Sequence, residues 1–184
     1  MAPVEYVLRF THPGSFTPTE YQVGDDATID NDIINADLFT GKITDWSQVG
    51  GKAGKIKGYT RNTSSGTYKT FQKLAMNKAD YGKDTQKMAG NEQIAEAVAG
   101  DVNGIGYVGL AYIGRDGIAA ATVDGVAPSP ATQMSYALSR NLYYYTIGEP
   151  TGAAKKFIEW SLTSPKAADV INKVGFIAPK VMKK

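Results

Sequence analysis

The chain has 184 residues, room for one domain of ordinary size and too little for two full ones. Hydrophobic residues are 42% and charged residues 21%, a globular composition, and 20 Lys+Arg against 18 Asp+Glu leave a net charge of +2, too even for a protein that wraps nucleic acid by global charge. The absence of cysteine excludes a disulfide framework, a thiolate zinc site, an iron–sulfur cluster and a Cys nucleophile, and the single histidine, His12, excludes a His-rich metal site. No run of apolar residues is long enough to span a bilayer, so no membrane insertion is expected. The opening Met-Ala-Pro-Val-Glu has neither the basic nor the apolar region of a secretory leader, and none is expected in this chain.

In chain order, Val4, Tyr6, Leu8 and Phe10 alternate as in a strand. Residues 11–26 hold prolines, glycines and hydroxyl residues and read as a loop. Ile33, Ile34 and Leu38 have helical spacing, with Asp30 or Asn31 as cap and Gly41 as terminator. Ile56–Thr60 is a short strand. A helix opens at Ser64-Ser65-Gly66-Thr67, with Phe71, Leu74 and Ala75 on its apolar face, and Asn91–Ala99 is another, with Ile94, Ala95 and Val98 inward. Ile105–Val108 and Ala119–Val123 read as strands, Pro128 and Pro130 as a loop, and Leu142–Thr146 as a tyrosine-rich strand. Thr151–Leu162 is a helix expected to bury Ala154, Phe157, Ile158 and Leu162. In the last helix Ser164 is the N-cap, Pro165 the first residue and Gly175 the stop. Strands alternating with helices predict an α/β three-layer αβα sandwich with a mostly parallel sheet, in one domain over 1–184.

Charge is unevenly placed. Residues 10–41 carry six acids and no base, whereas residues 46–79 carry seven bases and no acid. The basic stretch surrounds Tyr59-Thr60-Arg61-Asn62-Thr63-Ser64-Ser65-Gly66-Thr67, where a short strand turns into a helix. The first amides of a helix lack intrahelical partners and carry the positive end of its dipole. Gly66 lets a ligand approach the backbone, Ser65 and Thr67 offer hydroxyls, and the planar fork of Arg61 matches two oxygens of an oxyanion. Together they form a candidate site for a tetrahedral anion such as phosphate or sulfate. Ser64 and Arg140 are secondary candidates. The plainer alternative makes Ser64 or Ser65 an ordinary N-cap and Arg61 a surface residue.

Leu38-Phe39-Thr40-Gly41-Lys42-Ile43-Thr44-Asp45-Trp46, then Arg61 and Ser65-Gly66-Thr67, then Gly104-Ile-Gly-Tyr-Val-Gly109, then Leu138-Ser139-Arg140-Asn141-Leu142-Tyr143-Tyr144-Tyr145 occur in that order. With the ending from Ala153 to Ile177, this series resembles the second lobe of the PstS-like phosphate-binding proteins of ABC importers, type-2 periplasmic binding proteins. The resemblance covers 29–177; residues 1–28 form an atypical strand and loop, and 178–184 a basic tail. It implies a single lobe of that fold, non-catalytic binding of phosphate or sulfate by Arg61, Ser65, Gly66 and Thr67, and no cofactor or metal. Family members often place an acid between that Arg and Ser; here Asn62, Thr63 and Ser64 stand there. The first lobe has no counterpart, so the expected affinity is roughly millimolar, about 4 kcal/mol. The bared inter-lobe face is a candidate for self-association. The family is periplasmic; without a leader this chain is expected in the cytoplasm. The competing expectation is a truncated or engineered scaffold, a single lobe or chimera, that retains the architecture and little ligand binding.

Other chemistries fit less well. Gly104, Gly106 and Gly109 match a dinucleotide fingerprint, but the apolar run lies inside the pattern rather than before it. His12 has no G-x-S-x-G elbow to serve, and Asp25, Asp26, Asp30 and Asp32 lack calcium-loop spacing. Tyr143 and Tyr145 on one strand face, with Tyr144 on the other, read as packing rather than as a platform for nucleic acid. Trp46 and Trp160 read as core or half-buried anchors.

Overall fold

The computed structural model describes residues 5–9, 37–49 and 51–179, the first of these as backbone only. At its centre lies β4 (Gly104–Gly109), buried from Gly104 to Val108. Alternate residues of a strand face opposite sides of a sheet. Ile105 and Tyr107 accordingly enter one apolar cluster and Val108 another. A strand covered on both faces needs a near-continuous apolar run, which this segment provides.

Parallel to β4 runs β2 (Lys57–Arg61), which pairs on its other edge, again in parallel, with β3 (Gln86–Met88). The opposite edge of β4 takes β1 (Glu5–Arg9) antiparallel, and β5 (Ala119–Ala120) lies antiparallel to β1. The order β3-β2-β4-β1-β5 thus joins a parallel block to an antiparallel flank. After the short α1 (Leu38–Thr40), closed by Gly41 at φ 81°, the two helices of the parallel block cover opposite faces. From α2 (Gly66–Leu74), Phe71 stacks on Tyr107 at 4.0 Å between ring centres. From α3 (Asn91–Ala99), Ile94, Ala95 and Val98, all fully buried, meet Tyr59 and Val108. Helix, sheet and helix make the expected three layers. A Cβ on Gly106 would lie 2.6 Å from Ile94 Cγ2, so this glycine lets α3 approach the sheet. The glycine pattern therefore belongs to a strand and its helix packing, not to the strand-to-helix turn of a nucleotide site.

Several expectations need correction. Leu142–Thr146 forms no strand: these residues are irregular and exposed, with Tyr145 at 89%. A strand needs a ladder partner, and the described sheet offers none here. Tyr143 still meets Tyr145, while Tyr144 turns the other way onto Phe157. The strand at Ala119–Val123 stops at Ala120; Val123 instead bridges Val126 across Asp124 and Gly125, whose positive φ values of 52° and 72° form a tight reverse turn. Leu74 of α2 is 44% exposed. In α4 (Gly152–Thr163) only Ser161 is buried, whereas Ala154 is exposed, Phe157 is 55% and Leu162 38% exposed, and Ile158 is half-buried; the main described contact of α4 is with α5 (Pro165–Lys173). Ser164 occupies the N-cap position of α5 without a side-chain capping bond, and Gly175 follows the helix at φ 83°. The cap of the helix before Gly41, its Ile33 and Ile34, His12 and the acids from Glu20 to Asp32 lie outside the described residues, as does Lys180 onward.

Candidate functional site

The carboxyl ends of β2 and β3 point to one edge of the sheet, and α2 and α3 both begin there. Ligands of open α/β sheets gather at this edge, because helix N-termini and strand ends converge on it. Arg61 is the last residue of β2; the turn after it is closed by Ser65 N–H donating to Asn62 O at 3.1 Å. Ser65 is the N-cap of α2, 8% exposed, and its Oγ accepts from Thr67 N–H at 3.2 Å. The plainer reading of Ser65 as a cap thus holds, and the cap engages the Thr67 amide. A hydroxyl that accepts still has a proton to donate. Gly66, with its amide at the first helical position, is exposed. The hydroxyl of Ser64, on the exposed turn, donates to Asn62 Oδ1 at 2.8 Å.

Arg61 donates from Nη1 to Asn91 Oδ1 at 3.1 Å, which ties the end of β2 to the first residue of α3. Its Nε is buried and has no hydrogen-bond partner among the described residues. An unsatisfied buried guanidinium N–H is costly, so its orientation calls for an acceptor. Arg140 arrives from a loop far along the chain: its Nη2 and Nη1 lie 3.8 and 3.9 Å from the point a Cβ would occupy on Gly66. Two guanidinium groups and the positive end of a helix therefore meet at this edge. Next to Arg140, Ser139 Oγ is also buried without a partner among the described residues. Ser139 and Arg140 further line an open cleft of about 980 Å³, together with Met134, Tyr136 and Ile177; none of Arg61 to Thr67 lines it.

Two contributors escaped the sequence reading. Asn91 reads there only as the start of a helix, and nothing in spacing links it to Arg61, thirty residues away. Ser139 stood beside a candidate arginine, which was the available signal. At the other end of β2, Asp101 accepts from Tyr59 Oη at 2.7 Å, Lys57 Nζ at 2.9 Å and Asn103 N–H at 3.0 Å. Burial acts to raise the Asp101 carboxyl, but the bonds from Lys57, Tyr59 and Asn103 outweigh it and hold it below the ordinary range. Burial, then the Asp101 bond and charge, push the Tyr59 phenol up to about 12. This network fastens β2 to the loop leading into β4 and stands away from the edge where Arg61 lies.

No helix among the described residues is long and apolar enough to cross a membrane. A family model for the PBP superfamily domain matches residues 22–165. The phosphate-binding protein PstS of Bacillus subtilis is 32% identical over 148 residues, 79% of this chain and 49% of that protein. PstS of Borreliella burgdorferi is 29% identical over 158 residues, 79% of this chain and 56% of that protein. The chain thus spans about half the length of the curated relatives it matches. A Clostridium perfringens protein assigned as a phosphate ABC transporter substrate-binding protein, crystallised with bound phosphate, superposes with a TM-score of 0.77 at 29% identity, over 97% of this chain and 70% of that one. An ABC-type phosphate transport receptor of Vibrio cholerae, 22% identical, shares the fold at a TM-score of 0.72 over 97% of this chain and 70% of its own. The matched region and the shared architecture agree: the chain belongs to the PBP superfamily, with PstS phosphate-binding proteins among its homologues.

Proposed function

We propose that this chain binds phosphate or a similar tetrahedral oxyanion, without catalysis, at the N-terminus of α2, as the ligand-holding part of an extracytoplasmic ABC-importer substrate-binding protein. The observation that carries the reading is the buried Arg61 Nε, which has no acceptor among the described residues at the edge where α2 begins. An oxyanion there accepts from Arg61, from the Gly66 amide and from the hydroxyls of Ser65 and Thr67, while Arg140 adds a second charge beside Gly66. Charge-assisted hydrogen bonds in a partly dry site are stronger than neutral ones, and the helix dipole adds to them.

The chain spans about half the length of the curated relatives it matches. Titrating phosphate while following the amide resonances of Gly66 and Thr67 tests the reading. The expected result is saturable movement that Arg61→Ala weakens by about tenfold or more, the loss of a charged hydrogen bond of about 1.5–3 kcal/mol. Resonances that stay still at tens of millimolar phosphate overturn it and leave a scaffold that retains the architecture alone.

A further inference from the structure

We propose that the stripe of α4 formed by Ala153, Phe157 and Trp160, with the tyrosine segment beside it, docks a second copy of this chain through an antiparallel, twofold pairing of the two α4 helices. The proposal is independent of the anion-binding reading. Ala153, Phe157 and Trp160 follow at steps of four and three residues, which puts them on one face of the helix. All three are exposed, whereas Ser161 is buried and Ile158 half-buried on the side that meets α5. The rings of Phe157 and Trp160 lie 6.2 Å apart between centres, and Tyr144 meets Phe157 at 6.0 Å. Tyr143 and Tyr145 continue the aromatic surface along the segment. These five side chains are between 46% and 89% exposed. At roughly 150–250 Å² for a whole aromatic residue, they bare on the order of 600 Å². Leu142 and Ile147, exposed in the same segment, bring the face close to the roughly 800 Å² that each partner of a stable complex buries. A monomer's largest apolar patch is typically about 300–600 Å², so this one is large enough to be an interface.

An occupant has to match this face in shape and in charge, and a second copy does both. In a twofold pairing, each residue that meets a position on the other copy is met by it in return. With the axis beside Phe157, an antiparallel α4 brings the two Phe157 rings together. It also sets Ala153 level with Trp160 of the other copy, so a small residue receives a large one at both ends of the contact. Lys156 stands one turn before Trp160 at the margin of the stripe, from where its ammonium reaches the Trp160 ring of the other copy as a cation over an aromatic face. Charge points to the same occupant. Residues 142–179, which carry the tyrosine segment, α4 and α5, hold four bases and three acids. An anionic lipid surface is drawn to basic clusters, and so balanced a face offers it little. Aromatic anchors with mixed charge around them are the composition of a protein–protein contact.

The test is sedimentation velocity of the full chain over roughly 1 to 200 μM, the range in which a modest interface of this size assembles. The parent is expected to pass from monomer to dimer and to stop there. Trp160→Lys and Phe157→Lys alter exposed side chains, so both are expected to retain the parent's circular dichroism while dimerising about tenfold more weakly or less. Cross-linking checks the register, because the chain has no cysteine of its own. Under mild oxidation Lys156→Cys, close to the proposed axis, is expected to form a disulfide-linked dimer. Lys155→Cys, two residues before Phe157 and so on the opposite side of the helix, is expected to remain monomeric on a denaturing gel. A parent that stays monomeric throughout overturns the proposal. So does a dimer that Trp160→Lys leaves intact, association that continues past two copies, or equal cross-linking of the two cysteine variants. Two further measurements identify another occupant. Trp46 is 7% exposed, so acrylamide quenching in dilute solution reads Trp160; a shielded Trp160 there means that another part of this chain covers the stripe and overturns the proposal. Co-sedimentation of the parent with phosphatidylserine vesicles that Trp160→Lys abolishes, with no dimer in solution, overturns it in favour of a lipid surface.

Discussion

Helices α3 and α4 carry the same kind of signal in sequence and meet opposite fates. Ile94, Ala95 and Val98 recur at helical spacing and are fully buried against β2 and β4. Ala154, Phe157, Ile158 and Leu162 also recur at helical spacing, yet Phe157 is 55% and Leu162 38% exposed. Periodicity specifies which face of a helix is apolar; it does not specify what covers that face. For α3 the cover is the sheet that precedes and follows it in the chain. For α4 the described neighbours are α5 and the tyrosine segment, and the chain spans about half of its curated relatives.

The widest gap between the two regions is expected from a matched pair of truncations. Phe71 is 1% exposed and stacks on Tyr107, so Phe71→Ala is expected to cost about 3–5 kcal/mol in urea unfolding. Phe157 is 55% exposed and its ring meets Tyr144 and Trp160 at the surface, so Phe157→Ala is expected to cost about 1 kcal/mol. Equal costs would mean that α4 is as firmly packed in solution as the core helices, and would break the contrast. A second substitution sharpens it from the opposite direction. Gly106→Val forces atoms into the 2.6 Å approach to Ile94, an overpacking expected to cost about 1–3 kcal/mol. Gly148→Val is the control for added bulk: nothing lies within 4 Å of its Cβ position, but its φ of 68° is itself strained for a side chain, so Gly148→Asn, which tolerates that conformation, is the milder companion.

What the sequence made legible follows the same division. In the parallel block β2, β4, α2 and α3 were readable because each carries its own local signal. Phe71 and Ile94 mark helix faces, Ile105 to Val108 a doubly covered strand, and Gly41 and Gly175 the left-handed stops at φ 81° and 83°. β3 was not readable, since Gln86-Lys87-Met88 has neither alternation nor branching and is a strand only because β2 offers it a ladder. Leu142–Thr146 failed for the converse reason, with strand-like residues and no ladder among the described strands. At the site, Arg61, Ser65, Gly66 and Thr67 are adjacent in the chain, so their convergence was visible as spacing. Arg140 was a secondary candidate with no spacing to link it to Gly66, and the bond between Arg61 and Asn91 is a product of topology, because parallel β2 and β3 bring two helix starts to one edge. Local chemistry is written in order along the chain, and long-range partners are not.

The smallest expected effect concerns what holds β2 in place. The Asp101 side chain, 12% exposed, accepts bonds from Lys57, Tyr59 and Asn103 and has its carboxyl held below the ordinary value of 3.8. A carboxyl whose folded value is depressed stabilises the fold above its unfolded value, and that contribution is lost as pH falls through the folded one. The Tyr59 phenol works in the other direction. Raised from 10.0 to about 12, it stabilises the fold below the unfolded value, and the contribution is lost as pH climbs through the folded one. Asp101→Asn removes the carboxylate and with it both the acid-side loss and the Asp101 share of the Tyr59 shift; burial of the phenol remains. The variant is expected to be about 1 kcal/mol less stable at neutral pH, with a flatter fall in melting temperature on acidification. Its phenol, followed by ultraviolet difference titration, is expected to ionise earlier than that of the parent. If the acid limb of the melting curve is unchanged in Asp101→Asn, the carboxylates that govern acid unfolding lie elsewhere. Anchoring of β2 would then rest on the sheet ladder and on Tyr59 burial.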